Sequence, residues 1–378
     1  MYLGLGQRLG RRLFEEVRDA KSLKPRPTLS RMLAGIIAAF VHGATALFFG
    51  VGAFLLVLHR NLGFVIGGVL SIAIGWQLRP RLGKRPSRVV PRERAPALYG
   101  LLDRVGEALH VRRVDGIVLT SDFNASISRV GWGRRTYVTL GIPLLACLAP
   151  QERVAILAHE LGHQGNGDPR RGSFVGAALG TLESWAMLLR PQPGNVVYRS
   201  HEVSALASML ANGVLAVLSR IVRLIAVLLI HLIWRASQRA EYLADELAAR
   251  VAGSEASVSA LRKLGLQSVF REVVQGATLN APADVGLIED FRRRVGSYPH
   301  AELERELSKE IDRGFRLDVT HPPSAYRIEF LRNRPAPAEM VLSSAESDRI
   351  DEELLPHEKA VHDDLVERYR ASLYRGNR

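Results

Sequence analysis

The chain has 378 residues, with 51 Lys and Arg against 38 Asp and Glu, a formal charge of +13, and 47% hydrophobic residues. That apolar content excludes a disordered chain, and the length allows a sizeable core in roughly two domains. A single cysteine, Cys147, excludes an internal disulfide and a Cys-rich zinc module, and fits a reducing compartment.

The mean hydropathy of +0.03 hides an uneven chain. Residues 1–32 form a basic N-terminal segment. Leu33 to Leu58 is a run of 26 residues without formal charge, and Leu62 to Leu78 is a second of 17, separated by His59-Arg60-Asn61. A bilayer core takes about 17–25 apolar helical residues, so 33–78 reads as a transmembrane hairpin. A secretory signal is the poorer reading, because the lead is long and charged and the first run exceeds an h-region. Eight Lys and Arg precede the hairpin and seven follow it between Arg79 and Arg94, against Arg60 alone in its loop. That asymmetry places both ends in the cytoplasm. The basic clusters read as topology signals that also meet anionic headgroups. With no Cys/His finger and few interleaved aromatics, they do not point to nucleic acid.

After a Pro/Arg linker, Ala97 to Val111 reads as an amphipathic helix with Leu98, Leu101, Leu102, Val105 and Leu109 on one face. Three β-like runs follow, Gly116 to Thr120, Phe123 to Val130 and Arg135 to Leu140, the last two joined by Gly131-Trp132-Gly133. They predict a small antiparallel sheet. A helix opens at Pro150, with Glu152 in its first turn, and carries Val154, Leu157, Ala158 and Leu161 on one stripe before Asn166-Gly167-Asp168-Pro169 ends it. Residues 173–234 read as a second helical hairpin at least partly in the membrane, interrupted by Pro191 to Asn195. Within it, Glu183, Arg220 and Arg223 are expected to pair or to line a wet cavity, since lone charges in lipid are costly. Residues 236–252 continue as a helix, and the remainder is helical and charged. The lone histidines of the apolar segments, His42 and His231, read as satisfied helix residues or interfacial ones rather than ligands.

The sharpest chemical signal is His159-Glu160-Leu161-Gly162-His163. On a helix, positions i and i+4 share a face about 5–6 Å apart at Cβ. Two imidazoles so placed can share one Zn2+, with Glu160 within reach of its water. A zinc peptidase needs a third protein ligand, and the best candidate is Glu241 in Ala240-Glu241-Tyr242-Leu243-Ala244-Asp245. Glu241 and Asp245 project together. One carboxylate can bind metal while the other accepts the second N–H of a ligand histidine, or both form a solvated acidic edge beside Arg239.

These residues, in this order, resemble the integral-membrane zinc metallopeptidase family of HtpX-like heat-shock proteases and CAAX prenyl proteases, with the HtpX-like branch closer because only four apolar segments are present. The resemblance rests on the first hairpin, Leu157 to His163, Asn166-Gly167-Asp168, a membrane-type hairpin before Arg239 to Asp245, Ala260 to Leu264, and Thr320-His321-Pro322-Pro323 with Arg327. It implies a mainly α membrane protein with a zincin-like (gluzincin) protease domain and one Zn2+ per chain, held by His159, His163 and Glu241. It implies Glu160 as the catalytic glutamate and Asp245 bonded to a ligand histidine. His321 and Arg327 match the late region that steadies the oxyanion or the substrate backbone, although a structural salt bridge suits Arg327 equally. Asn124-Ala125 is similar to an edge-strand pair that binds the substrate backbone, although Asn124 suits a turn equally. The expected organisation is 33–78 and 172–235 as membrane hairpins, 89–171 and 236–335 as two halves of the protease domain, and 336–378 as a charged helical tail. The expected function is a membrane-bound zinc endopeptidase, multi-pass in a bacterial inner membrane with its site toward the cytoplasm. Its partners are the bilayer and protein or peptide substrates, misfolded or regulatory membrane proteins; oligomeric state is not legible. The alternatives are a dedicated protease for one partner, or a catalytically silent scaffold with a structural zinc site.

Overall fold

A computed structural model of the protein describes residues 2–58, 61–80, 83–131, 134–166, 174–191, 202–279, 286–299, 301–305 and 321–376. Its principal elements in chain order are α1 (Tyr2–Asp19), α2 (Leu29–Leu58), α3 (Leu62–Leu78), α4 (Pro96–Ala108), β1 (Gly116–Thr120), β2 (Ala125–Val130), β3 (Arg135–Gly141), α5 (Ile142–Cys147) and α6 (Pro150–Gly162). They continue with α7 (Val175–Leu188), α8 (Glu202–Ala252), α9 (Ser254–Lys263), α10 (Gln267–Leu279), α11 (Leu287–Ser297), α12 (Ser324–Arg332) and α13 (Ser344–Gly376). Two compact units form: Met1–Pro25, Gly83–Asp168 and Gln238–Arg378 make one, Arg26–Leu82 and Pro169–Ser237 the other.

The second unit inverts the packing of a soluble protein. Between α2 and α3 the interior is small, with Ala34, Ala38, Thr45, Gly52, Gly68 and Ser71 buried, while Phe40, Leu47, Phe54, Val57 and Trp76 stand exposed; Leu182, Leu229 and Ile233 fill the core beside α7 and α8. Large apolar side chains outside and small ones between helices are the pattern of helices solvated by lipid. A Cβ on Gly52 would sit 2.9 Å from the Gly68 carbonyl, so this glycine pair sets the close approach of α2 and α3. Ser71 and Thr45 add hydrogen bonds to the carbonyls of Phe48 (2.7 Å) and Leu78 (3.1 Å). Two helices are long and apolar enough to cross a bilayer, Leu29–Leu58 and a segment of Met209–Ala252. The described helix α7, at 14 residues about 21 Å long, is shorter than a core of about 30 Å. The expected pairing of Glu183 with Arg220 or Arg223 does not form: all three are exposed, and no ion pair joins them among the described residues. Their positions on the helices turn them outward, away from the interior. His42 and His231 lie against the carbonyls of Phe174 (3.0 Å) and Val227 (2.8 Å). Residues 192–201, Trp132, Gly133, Gly167, Asp168, Arg170, Arg171 and Thr320, on which parts of the sequence reading rest, lie outside the described residues.

In the first unit, the predicted stripes meet. Leu98, Leu101, Leu102 and Val105 of α4 are buried with Val154, Leu157, Ala158 and Leu161 of α6, against Ile117, Val138 and Leu140 of the sheet. Phe123, Phe270 and Phe291 close the core as an aromatic trio with centroids 5.1–6.0 Å apart.

The sheet is mixed rather than antiparallel. Its order is β1-β3-β2, with β2 antiparallel to β3 (Ala125↔Leu140 to Val130↔Arg135) and β1 parallel to it (Gly116↔Tyr137 to Thr120↔Gly141). The physical reason lies at Gly141. The Asp122–Asn124 turn passes directly over it, so that a Cβ there would lie 1.7 Å from the Asp122 carbonyl, and its N–H donates to the Asn124 carbonyl at 2.8 Å. The chain leaving β1 therefore crosses the end of β3 instead of folding back as a hairpin. This leaves β2 as an edge strand beginning beside Asn124.

α13 straps this unit together. Its Ile350, Leu354 and Val361 are buried. Glu353 accepts from the amides of Ala97 and Leu98 at 2.7 and 3.0 Å, capping an α4 whose own N-cap, Ala95, has no side-chain acceptor. Orphan amides at a helix start are worth about 1 kcal/mol when capped. Glu353→Ala is therefore expected to destabilise this unit by about 1 kcal/mol, read as a lower denaturation midpoint at unchanged slope.

Candidate active site

α6 owes its placement to its first turn. Pro150 occupies the first helical position, and Glu152 accepts from the Ala149 amide at 2.6 Å. Glu152 also holds Lys263 and Ser259 of α9, each at 2.6 Å. Next to it, buried Arg153 donates to Asp351 of α13 at 2.7 Å and to the Leu145 carbonyl at 3.1 Å. The core stripe faces one way, and His159, Glu160 and His163 emerge together, each at most 6% exposed.

α8 brings the acidic pair against them. The two histidine Nε2 atoms are 3.3 Å apart, and the Glu241 carboxylate lies 3.5 Å from the first and 3.6 Å from the second. Ligands held tetrahedrally at about 2.0–2.1 Å from one zinc ion are about 3.3–3.4 Å from each other. Glu241 meets the first nitrogen through Oε2 and the second through Oε1, so its carboxylate spans the two imidazoles at spacings of the size a shared Zn2+ requires. Acceptor atoms this close, buried, also require a shared cation or proton to offset their mutual repulsion. His321 joins from the segment before α12, its Nδ1 2.5 Å from Glu241 Oε2. Ligand atoms of His159, Glu160 and His163, and separately of His159, Glu241 and His321, lie within 4.8 Å of one another.

Around this centre stands a second set of contacts. Asp245 Oδ1 faces His159 Nδ1 at 2.9 Å, which favours the proton on Nδ1 and leaves Nε2 free for a cation. Arg327 grips Asp245 with both arms, Nε to Oδ2 at 2.8 Å and Nη2 to Oδ1 at 2.6 Å. The fork is buried, and it commits the guanidinium to Asp245. The Asn166 amide nitrogen lies 2.9 Å from His163 Nδ1 and donates to the Ala240 carbonyl at 2.8 Å, tying the second histidine to the helix that carries Glu241. A cleft of about 400 Å³ opens on the site, lined by Asn124, Ala125, His159, Glu160, His321 and Arg327 among others. The structure thus gathers all nine predicted site residues. Sequence reasoning offered a salt bridge for Arg327 without naming Asp245 as its partner, and missed the Asn166 contact and the Glu152 and Arg153 anchors; only Asn166, one turn past His163, carried a local signal.

Titration follows the geometry. Burial, the largest influence, disfavours a charged His159, and Arg327 adds to it. The hydrogen bonds that the ring donates to Asp245 and Glu241, with the Asp245 charge, outweigh both and lift the ring to about 9. Burial pushes the Cys147 thiol up to about 12, so it is no nucleophile. Arg327 is disfavoured by burial but raised on balance by Asp245.

A buried HExxH pair, a glutamate completing a zinc-sized triangle and a second carboxylate behind the first histidine describe a metallopeptidase centre. The profile of Peptidase family M48 matches residues 107–335, more than half of the chain and the whole of the site, and the chain belongs to that family of zinc-dependent metalloproteases. Among its relatives is Protease HtpX of Pseudomonas putida (strain GB-1), 29% identical over 293 residues, which span 74% of this chain and 85% of that protein. Protease HtpX of Pseudomonas putida (strain W619) is 28% identical over 297 residues with the same coverage, and that of Pseudomonas entomophila (strain L48) is 28% identical over 293. No solved structure matches the chain.

Metal uptake must displace a proton from His159. Because the folded apo ring is charged below about 9, metal affinity should rise about tenfold per pH unit from about pH 7 and level off near pH 9. Chelator-competition titrations of the apo protein across that range check this; a flat profile contradicts it.

Proposed function

We propose that this metalloprotease is a membrane-bound zinc endopeptidase that cuts extended protein segments at the cytoplasmic face of a bacterial inner membrane. The observation that carries the catalytic part is the 3.3–3.6 Å triangle of His159, His163 and Glu241, with Glu160 lining the same cleft. His159, His163 and Glu241 hold the ion, one per chain. When bound, zinc supplies Lewis acidity that polarises the scissile carbonyl and acidifies water.

The chain's own groups do the rest. Glu160 accepts the proton of the attacking water and delivers it to the leaving amine. Asp245 holds the His159 ring in its working tautomer, and Arg327 keeps Asp245 charged and aimed. His321, beside Glu241 and lining the cleft, steadies the charge that develops on the carbonyl oxygen. Substrate adds to the free edge of β2 as a strand, with Asn124 and Ala125 bonding its backbone next to the cut. Main-chain recognition of this kind suits unfolded segments of many sequences, which supports misfolded membrane proteins as substrates.

The expected experiment is direct. Purified protein should cleave itself or an unfolded substrate in a zinc-dependent way, and Glu160→Gln should lower the rate by at least about a hundredfold while retaining metal. Equal cleavage by both proteins would rule out the assigned base. Cleavage by neither, with metal retained, would favour a structural zinc site.

The membrane placement draws on the outward apolar surface of the second unit and on the flanking arginines. Trp76 is exposed at the end of α3, with the Arg79 guanidinium 3.6 Å above its ring, as at a membrane interface. Four passes put Asn61 and Gly194 on the far side. Topology reporters at both positions should then report outside the cytoplasm; an inside signal at Gly194 alone would reduce the chain to two spans.

A further inference from the structure

α1 lies outside the residues matched by the family profile, yet it belongs to the compact unit that holds the site. Its Leu13, Phe14 and Val17 are at most 3% exposed. The Phe14 ring sits between two tyrosines, 4.9 Å from Tyr326 and 6.3 Å from Tyr242. Each tyrosine is the chain neighbour of a site residue: Tyr242 follows Glu241, and Tyr326 precedes Arg327. Tyr242 itself packs 5.2 Å from Phe330 of α12. Phe14 thus fills the angle between the helix that presents Glu241 and Asp245 and the helix that presents Arg327.

Polar ties hold α1 in that angle. Arg239 of α8 bonds Glu16 at 2.9 Å and the Ser22 carbonyl at 3.3 Å. Arg334, just beyond α12, donates to the carbonyls of Val17, Arg18 and Ala20 at the end of α1, where a cation suits the helix terminus, and pairs with Glu246 of α8 at 2.8 Å. Every one of these contacts reaches α8 or the α12 segment.

We propose that Phe14 is a positioning residue for the metal centre. Wedged between Tyr242 and Tyr326, it sets the spacing of α8 and α12. Through that spacing it sets the Asp245–Arg327 fork and the aim of Glu241 at the two histidines. Metal affinity then depends on an N-terminal helix that the family profile does not include. The proposal rests on reading the site as a zinc centre.

The test uses full-length protein in lipid nanodiscs and measures zinc affinity by competition with a chromophoric chelator, independently of any cleavage. Phe14→Ala should weaken zinc binding on the order of tenfold, as loss of a support behind a ligand does. Phe14→Leu, which keeps the apolar bulk, should restore most of it. Arg239→Met, which cuts a tie of α1 without touching the wedge, should give an intermediate loss. A lower melting temperature with wild-type zinc affinity in Phe14→Ala would overturn the proposal and leave Phe14 as ordinary core. If Phe14→Ala does not fold, Arg239→Met decides, and unchanged affinity there overturns it. Wild-type protein that takes up no zinc would refute the zinc reading of the site, and the wedge with it; wild-type uptake with unaffected variants refutes the wedge alone.

Discussion

Asp245 carries the constraint on which the rest of the site depends. A carboxylate 2% exposed has lost almost all its water, at a cost of several kcal/mol unless its surroundings return it. The two-armed grip of Arg327 returns it, and the remaining capacity of the same oxygen faces His159 Nδ1 at 2.9 Å. Because Asp245 and Glu241 are one turn apart on α8, holding one aims the other. The ion pair on one side of His159 therefore decides what stands on the other side, where Glu241 meets both Nε2 atoms.

This arrangement places strict demands on elements distant in sequence. α6 presents its histidines correctly only because its first turn is bound to α9 through Glu152 and to α13 through Arg153. Both anchors are buried charges with partners more than a hundred residues away, so each is costly to break and specific in geometry. The edge strand is placed by sterics instead. Gly141 lets the Asp122–Asn124 turn cross the end of β3, and that crossing sets Asn124 and Ala125 at the cleft. Ion pairs thus orient the chemistry, and a missing Cβ positions the surface proposed to receive substrate.

The second unit obeys a different solvent. Its helices α2 and α3 approach through glycine, alanine, serine and threonine, and most of their bulky side chains point outward. In water that would be an aggregating surface; in lipid the hydrophobic driving force between helices is absent and close backbone packing replaces it.

Much was legible in the sequence because it depends on local periodicity. The apolar runs, the α4 and α6 stripes, the three strands and the i, i+4 spacing of His159 with His163 and of Glu241 with Asp245 all follow from 3.6- and 2-residue repeats, and the structure carries them at nearly the expected bounds. Strand direction was not legible: β1 to β3 inverts the expected pairing through one contact between Gly141 and Asp122, residues 19 apart. The fate of Glu183, Arg220 and Arg223 was misread for a related reason, since helix phase, not charge sign, turned them outward. Arg327 left two roles open until tertiary packing placed its guanidinium on Asp245, 82 residues away. Sequence by itself determined which side chains could share a cation, because backbone geometry sets that spacing within one helix. Only the tertiary structure decided that the two helices meet, that a buried arginine keeps the second carboxylate aimed, and that residues from both ends of the chain brace them, because those contacts come from packing between segments with no local repeat to announce them.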